Sequence, residues 1–214
     1  MPMIANVVID QFHKGGPIMW PMLVVMITAV AVILDRIIWW TAHAAHREPA
    51  KLEEVYGALE EGNISAASAA AKDARDPVVK VLWHALNHHH ASLEGALTVA
   101  SGAELQKAGR FLVAMDTLIT IAPLLGLMGT VLGIMHSFNA VGESGLEVSK
   151  VSGGIGEALI ATACGLGVAV FVVLFYNYFG ALVTKLQFEI ETAANNLEIM
   201  LKTSKKPRAK GQPE

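Results

Sequence analysis

The sequence predicts an all-α membrane protein with three transmembrane helices and long cytoplasmic helical extensions. Of its 214 residues, 53% are hydrophobic and 16% are charged. The hydrophobic residues gather in three long blocks and the charges lie between them, which is typical of a chain that crosses a bilayer several times. The net charge of −3 does not indicate a nucleic-acid partner, and the single cysteine, Cys164, excludes an intrachain disulfide.

The first block predicts transmembrane helix 1, over residues 17–40, after a periplasmic segment at 1–16. Its apolar run, residues 17–34, reaches about 27 Å as a helix, which is enough to cross the hydrocarbon core. Trp20 and the pair Trp39-Trp40 lie near its two ends, where interfacial aromatics are common. A cleaved signal peptide is the alternative, since Ala42-His43-Ala44 is similar to a cleavage site, but the apolar run is longer than a signal peptide needs.

The other two blocks predict transmembrane helix 2 over residues 116–138 and transmembrane helix 3 over residues 157–182. Lysine and arginine indicate the orientation of the three spans. One precedes the first span, eight lie from Arg36 to Arg110, one lies in the 139–156 link and six follow the third. Because these residues favour the cytoplasmic side, we predict that the N-terminus and the link are periplasmic and that residues 41–115 and 183–214 are cytoplasmic.

The cytoplasmic parts are predicted to be helical. Turn signals at Glu60–Asn63 and at Asp76-Pro77 divide the 41–115 region. Helices are expected over 78–87 and 92–110, the last running straight into transmembrane helix 2. Residues 183–203 predict a separate cytoplasmic helix, and 204–214 a disordered basic tail. One apolar face of that helix is formed by Leu186, Ile190, Ala193, Leu197 and Leu201.

A histidine cluster at 84–90 raises the question of a metal site. His84 and His88 are one helical turn apart and are followed by His89 and His90. Such a pair is a common metal-binding arrangement, but no cysteine or second spaced pair completes a tetrahedral set. We therefore interpret the cluster as a solvated helix end and predict no metal.

Transmembrane helix 2 carries small and polar residues on one face. On a helical wheel they fall within about 60° of Thr130. The other members of the stripe are Pro123, Gly126, Gly133 and Ser137. In lipid, small residues allow close helix contacts and polar ones avoid the acyl chains. The stripe therefore fits either tight helix packing or a polar path.

Transmembrane helix 3 repeats this arrangement. Glu157, at its start, opens an arc of about 140° that also contains the first hydroxyl of the span, Thr162. The arc also includes Ala158, Ala161, Gly165 and Ala169. Glu157 could simply cap the helix, but ionisable groups at membrane depth usually serve ion or proton paths. Three spans do not surround a water-filled path, so such a path would need several copies arranged as a cyclic oligomer.

Two long motifs of this chain resemble the MotA/TolQ/ExbB proton-channel family. APLLGLMGTVLGIMHSF, residues 122–138, is similar to its second-span signature, and GIGEALIATACGLGVAVFVVLFYN, residues 154–177, is similar to its third-span signature. The opening at 15–36 and the stretch at 188–201 are similar too. The three-span layout resembles ExbB and TolQ, although family members often carry a proline where this chain has Val170-Phe171.

The resemblance implies a pentamer in the bacterial inner membrane. Its pore would hold the single spans of an ExbD- or TolR-like dimer, with an aspartate of that dimer carrying the proton. A TonB- or TolA-like protein would pass the work to the outer membrane. By position, Thr130 and Thr162 would line the path and Glu157 would lie near the periplasmic entrance. Asp116 is either a cytoplasmic exit group or an interfacial helix-end charge.

The sequence thus predicts a stator subunit of a proton-driven motor, with no cofactor and no enzymatic activity. No nucleophile–base set, metal cage or phosphate loop is visible in it. A membrane scaffold that conducts nothing is the main alternative, and a channel that needs no partner is the other. Outer-membrane import, envelope constriction, surface motility and polymer transport would all use such a subunit.

Overall fold

The computed structural model describes residue 12, residues 14–144 and residues 148–204. Within these residues the chain forms helices and connecting turns, with no strand. The helices, in chain order, are α1 Met19–Ala45, α2 Pro49–Glu60, α3 Ile64–Ala71, α4 Pro77–Ala108, α5 Leu112–Ser144 and α6 Val148–Ser204. Three of them, α1, α5 and α6, are long and apolar enough to cross a membrane. The predicted three-span, all-helical fold class is therefore confirmed.

The chain divides into two compact units, which we describe separately. The membrane unit comprises Met1–Arg36 and Phe111–Phe179, and the charged unit comprises Ile37–Arg110 and Gly180–Glu214. In the membrane unit many large apolar side chains of α1, α5 and α6 are exposed, as lipid-facing residues should be. Examples are Trp20, Val24, Leu124, Leu127, Val131, Phe138, Leu159, Val170 and Leu174.

The core of the charged unit is built from valine, leucine, isoleucine and alanine side chains. Its buried residues come from α2, α3, α4 and the C-terminal part of α6, and most of the large ones are branched. The predicted apolar face at 183–203 is fully buried in this core, at Leu186, Ile190, Ala193, Leu197 and Leu201. Trp39 and Trp40, predicted as interfacial residues, pack half-buried against the same core.

Polar caps fix the turns of the charged unit. Asp76 is buried and accepts hydrogen bonds from the backbone N–H groups of Val78, at 2.9 Å, and Glu48, at 3.1 Å. It caps α4, which begins with Pro77, a residue suited to the first helical turn. Gly62, with φ of 74°, forms the predicted turn between α2 and α3. Within α4 the backbone leaves helical geometry at Ser92, so the two predicted helices meet at a kink there and residues 88–91, expected to separate them, are helical.

Two expectations about helix continuity are wrong. The second half of α4 does not run into α5, because α4 ends at Ala108 with Gly109 as its C-cap, and Phe111 adopts a left-handed conformation, with φ of 67°. The guanidinium of Arg36, which is buried and pairs with Asp35, lies 5.6 Å from the Phe111 ring. Such a cation–π contact helps to hold an otherwise unfavourable backbone conformation.

Residues 183–203 do not form a separate helix but continue α6. No proline interrupts residues 149–203, and a lone glycine such as Gly180 does not end a helix by itself. The substitution of Val170-Phe171 for a proline fits this uninterrupted helix. The link predicted at 139–156 is also largely helical, since α5 extends to Ser144 and α6 begins at Val148. The tail at 204–214 and the N-terminal segment at 1–11 lie outside the described residues, apart from the backbone of Ser204.

Candidate functional site

The two small-residue stripes face each other within one chain. They form a contact between antiparallel α5 and α6, which we call the seam. Every buried residue of α5 between 122 and 138 and of α6 between 154 and 169 is a glycine, an alanine or a serine. These residues are Ala122, Gly126, Gly129, Gly133 and Ser137 on α5, and Ala158, Ala161, Gly165 and Ala169 on α6.

The seam brings backbone atoms of the two helices into contact. A methyl group placed on Gly133 would lie 2.7 Å from the carbonyl oxygen of Gly154. One placed on Gly126 would lie 3.0 Å from Cα of Thr162, and one on Gly165 would lie 2.5 Å from the carbonyl oxygen of Ala122. No side chain fits at these three levels unless a helix moves. Close packing within one chain therefore accounts for the glycines that the sequence analysis placed in the stripes.

Thr162 forms a hydrogen bond across the seam. Its hydroxyl, on α6, donates to the carbonyl oxygen of Gly126, on α5, at 3.0 Å. The half-buried Thr162 side chain is thus held in one orientation at the edge of the seam. Ser137, by contrast, donates to Gly133 of its own helix, at 2.9 Å.

Thr130 lies on an open groove beside the seam. The groove has a volume of about 330 Å³ and an almost wholly apolar lining. Its lining residues are Thr130, Ile134, Ser137, Phe138, Ile155, Ala158 and Leu159. The Thr130 hydroxyl donates to the carbonyl oxygen of Leu127 in its own helix, at 2.6 Å. This hydrogen bond lies within α5 and does not link Thr130 to α6.

Glu157 lies on the other side of the seam, next to the turn that precedes α1. A methyl group on Gly16 would overlap the Glu157 carboxylate, lying 2.5 Å from Cδ. On the α6 wheel Glu157 and Thr162 are about 140° apart, with the buried Ala158, Ala161 and Gly165 between them. A single chain thus holds the predicted path residues at the two edges of a closed seam and does not unite them in one cavity.

The remaining predicted residues are placed as follows. Asp116 is exposed, and Pro123 is half-buried inside α5. Pro123 removes one backbone donor from α5, at the level where Ala122 meets Gly165. Ala169 packs with Met22 of α1 and Ala122 in a small buried cluster. The first span thus closes the seam at this end.

The histidine cluster shows ring stacking. The rings of His84 and His88 are 4.8 Å apart, and Nδ1 of His88 lies 2.9 Å from the carbonyl oxygen of His84. Within the described residues, no group of three or more histidine, cysteine or acidic side chains could hold a metal ion. The side chains of His89 and His90 are outside that description.

Two contacts of the site were not predicted from sequence. One is the approach of Gly16 to Glu157, and the other is the approach of Ile18 to Gly129, where a methyl group would lie 2.9 Å from Cγ2 of Ile18. The only available signal was the Gly15-Gly16-Pro17 stretch before the first span, which is typical of a tight turn. Nothing in that signal identifies which helix the turn contacts.

Fold and site together define a class of protein. The chain is a multi-pass α-helical membrane protein in which two spans pack through a glycine seam flanked by hydroxyl and carboxyl groups. Comparison with known proteins then gives the family. The model of the MotA/TolQ/ExbB proton channel family matches residues 70–192, which is more than half of the chain. The chain belongs to this family.

Individual relatives agree with this assignment. An ExbB-like biopolymer transport protein of Synechocystis sp., ExbB-like 3, is 32% identical over 211 residues, which cover 94% of this chain and 95% of that protein. The biopolymer transport protein ExbB of Neisseria gonorrhoeae is 41% identical over 100 residues, 45% of this chain and 46% of that protein. The Tol-Pal system protein TolQ of Haemophilus influenzae is 40% identical over 83 residues, 38% of this chain and 36% of that protein.

Proposed function

We propose that this chain is an ExbB/TolQ-type stator subunit that converts proton motive force into mechanical work in the inner membrane. Membership of a proton channel family supports a stator-type role. The observation that carries the proposal is that hydroxyl and carboxyl groups lie at both edges of the seam of small residues, at Thr130, Thr162 and Glu157. Polar and ionisable groups are rare within spans and commonly mark ion or proton paths.

The proposed path needs more than one copy of the chain. Because one copy keeps Glu157 and Thr130 on opposite edges of a closed seam, they can share a path only if neighbouring copies complete it. Cyclic assembly brings the free edge of one copy to the next. We propose a homopentamer whose pore holds the spans of an ExbD/TolR-like dimer, and whose titrating carboxylate comes from that partner.

Within the path each residue has a distinct role. Glu157 would receive protons near the periplasmic side, and the hydroxyls of Thr130 and Thr162 would order water beside the partner's acid group. Asp116, about 21 Å from Thr130 by helical rise, is an exit candidate on the cytoplasmic side. Its exposed position also fits an interfacial helix-end charge, the alternative role.

The proposed orientation places the N-terminus in the periplasm and the charged unit in the cytoplasm. Of the sixteen lysine and arginine residues, eight lie from Arg36 to Arg110, seven of them between the first and second spans, and six follow the third. Positive charges of this kind are retained on the cytoplasmic side. A TonB- or TolA-like protein would then receive the work on the periplasmic side, in an envelope process that the partner determines.

Proton flux in liposomes tests the path, with the chain purified together with its partner from the native membrane. Thr130→Val is the cleanest variant, since the Thr130 hydroxyl bonds only its own helix and valine keeps its shape. We expect flux to be lost in Thr130→Val, Thr162→Val and Glu157→Gln, and slowed in Asp116→Asn. Thr162→Ser, which keeps the donor to Gly126, should conduct. Thr28→Val, which removes an exposed hydroxyl of α1, is the matched control.

The same experiment separates the alternatives. Full flux in Thr130→Val, Thr162→Val and Glu157→Gln would refute the assigned path. Flux from this chain alone, without partner, would indicate a self-sufficient channel. If mass spectrometry of the complex purified in mild detergent finds only copies of this chain, and no flux is seen, a scaffold is the better interpretation. A single-span companion with an aspartate in its span, at fewer copies than this chain, would support the stator.

A further inference from the structure

The chain enters α1 through a tight turn that contains two glycines. The N–H of Gly15 donates to the carbonyl oxygen of Phe12, at 3.3 Å, and the N–H of Met19 donates to that of Gly16, at 3.1 Å. Gly16 has φ of 70°, which lies in the left-handed region that favours glycine. The turn therefore has a defined shape, and glycine suits it at position 16.

The turn lies against the middle of the seam, at the level where Gly129 meets Ala161. Gly15 approaches α6, since a methyl group there would lie 3.2 Å from Cγ2 of Ile160. Ile18 approaches α5 and is buried against Gly129. The turn is thus anchored to both helices of the seam by contacts that leave little room for movement.

Between these two anchors, Gly16 lies directly against the Glu157 side chain. A methyl group on Gly16 would overlap Oε1 and lie 2.5 Å from Cδ and 3.0 Å from Cγ of Glu157. Because the overlap involves the whole end of the side chain, any residue other than glycine would displace the carboxylate. Glu157 is half-buried, so its present orientation depends on what covers it.

We propose that Gly16 is a positioning residue for Glu157. Its missing side chain leaves the space in which the carboxylate lies, and the turn restricts the carboxylate to one side of the seam and limits its access to solvent. The inference that this orientation matters for conduction rests on the proposed function. The inference that Gly16 positions the Glu157 carboxylate does not rest on it and can be tested without measuring flux.

The test is a double-mutant cycle read by chemical modification. Native membranes that contain the full chain are treated with a hydrophobic carbodiimide, and the rate of modification at residue 157 is measured by mass spectrometry. Gly16→Ala should raise this rate, because the carboxylate leaves its covered position. In a Glu157→Asp background the same substitution should have little effect, since the shorter side chain leaves room for the methyl group. We expect the two effects to differ by at least about twofold, the lower limit for residues in contact.

Gly15→Ala is the matched control, because its methyl group would press on Met19 and Ile160 but not on Glu157. Any change that it causes should be the same in both backgrounds. Equal effects of Gly16→Ala in the two backgrounds would overturn the proposal, since they would indicate general damage to the turn or backbone strain. No effect of Gly16→Ala in either background would overturn it as well.

A second measurement covers the case in which Gly16→Ala does not accumulate. Cysteines replace Gly16 and Glu157 in a Cys164→Ala chain, and membranes are oxidised. Cγ of Glu157 would lie 3.0 Å from a methyl group at position 16. Since Cβ is one bond further, the two Cβ atoms are at most about 4.5 Å apart, a separation that a disulfide allows. A disulfide supports the proposed contact, and its absence under oxidation overturns it.

Flux separates this proposal from the proposed function. If the cycle shows coupling, Glu157→Gln abolishes flux and Gly16→Ala reduces it, both stand. If the cycle shows coupling but neither variant alters flux, positioning stands and the proton path fails. If Glu157→Gln abolishes flux while Gly16→Ala displaces the carboxylate without any change in flux, the path stands and the functional role of Gly16 is overturned.

Discussion

The seam of the membrane unit and the core of the charged unit bury opposite kinds of residue. Along the seam, the buried positions hold glycine, alanine and serine, and the large apolar side chains point outward. In the charged unit the buried positions include Val55, Leu59, Leu82, Leu86 and Leu197. The two units of this chain thus differ in the size of the side chains that they bury.

The difference follows from the solvent around each unit. Acyl chains are as apolar as leucine, so two helices in lipid gain little from burying leucine against each other and gain more from close contact and hydrogen bonds. In water, burying a leucine side chain contributes about 1.5 to 3 kcal/mol. A residue's size therefore has opposite consequences in the two units, and three substitutions test this statement.

The largest effect is expected from enlarging the seam. Gly165→Val should destabilise the membrane unit by at least about 3 kcal/mol, the upper end of the usual effect of overpacking, because the added atoms meet the backbone of Ala122. Gly167→Val, two residues further on, meets nothing within 4 Å and is the matched control. Thermal unfolding of the chain in detergent measures both. Equal unfolding midpoints for the two variants would show that the seam tolerates expansion.

The next effect comes from shrinking a residue in each unit. Leu82 is fully buried in the charged unit, so Leu82→Ala should destabilise it by about 3 kcal/mol through lost burial and a cavity. Leu174 in the membrane unit is 64% exposed, so Leu174→Ala removes mainly lipid-facing surface. This substitution should change the stability far less. Protease protection of the charged unit measures the first, and thermal unfolding measures both. Similar losses would contradict the two-solvent explanation.

The smallest effect concerns an exposed charge of the charged unit. The backbone N–H of Arg75 donates to Glu48 at 2.9 Å, and this bond, helped by Lys51, holds the pKa of Glu48 below its ordinary value of 4.5. A lowered folded-state pKa gives stabilisation that is full above about pH 4.5 and is lost as the pH falls through the lowered value. Glu48→Gln should therefore lower the unfolding midpoint slightly at neutral pH and leave it unchanged in strong acid.

Lys51→Gln provides the control for this pH dependence. Because the backbone bond from Arg75 is the larger cause of the lowered pKa, most of the pH dependence should survive in Lys51→Gln. Loss of the whole dependence in that variant would assign the effect to the Lys51 pair. High salt should reduce the Lys51 contribution, since the pair is exposed to screening.

Features with a local signal were predictable from sequence. The turn at Gly62, the break at Asp76-Pro77 and the change of direction at Ser92 each have a residue whose chemistry ends or begins a helix. Hydrophobic length was enough for the three spans. Helical periodicity correctly placed Gly126, Gly133 and Ser137 on one face of α5.

Features that depend on contacts between distant residues were not predictable. Periodicity shows which residues share a face, but not that the α5 face meets the α6 face of the same chain. Phe111 has no local tendency toward a left-handed conformation, and its break goes with a cation–π contact to Arg36, which is distant in sequence. The continuity of α6 past residue 182 has no local signal either, because the change there from apolar to charged residues predicts the end of a span and not the end of a helix.

The backbone contact along the seam also has a consequence for a single copy before it assembles with others. On the proposed function, a newly inserted copy lies in a membrane that carries a proton gradient, and a leak through it would dissipate that gradient. Gly126, Gly133 and Gly165 bring the two spans together until backbone atoms touch, so a file of water cannot form between them. Unassembled copies would then not leak protons. On the proposed function, the glycines would thus seal the single chain against proton leakage, and conduction would require neighbouring copies to meet.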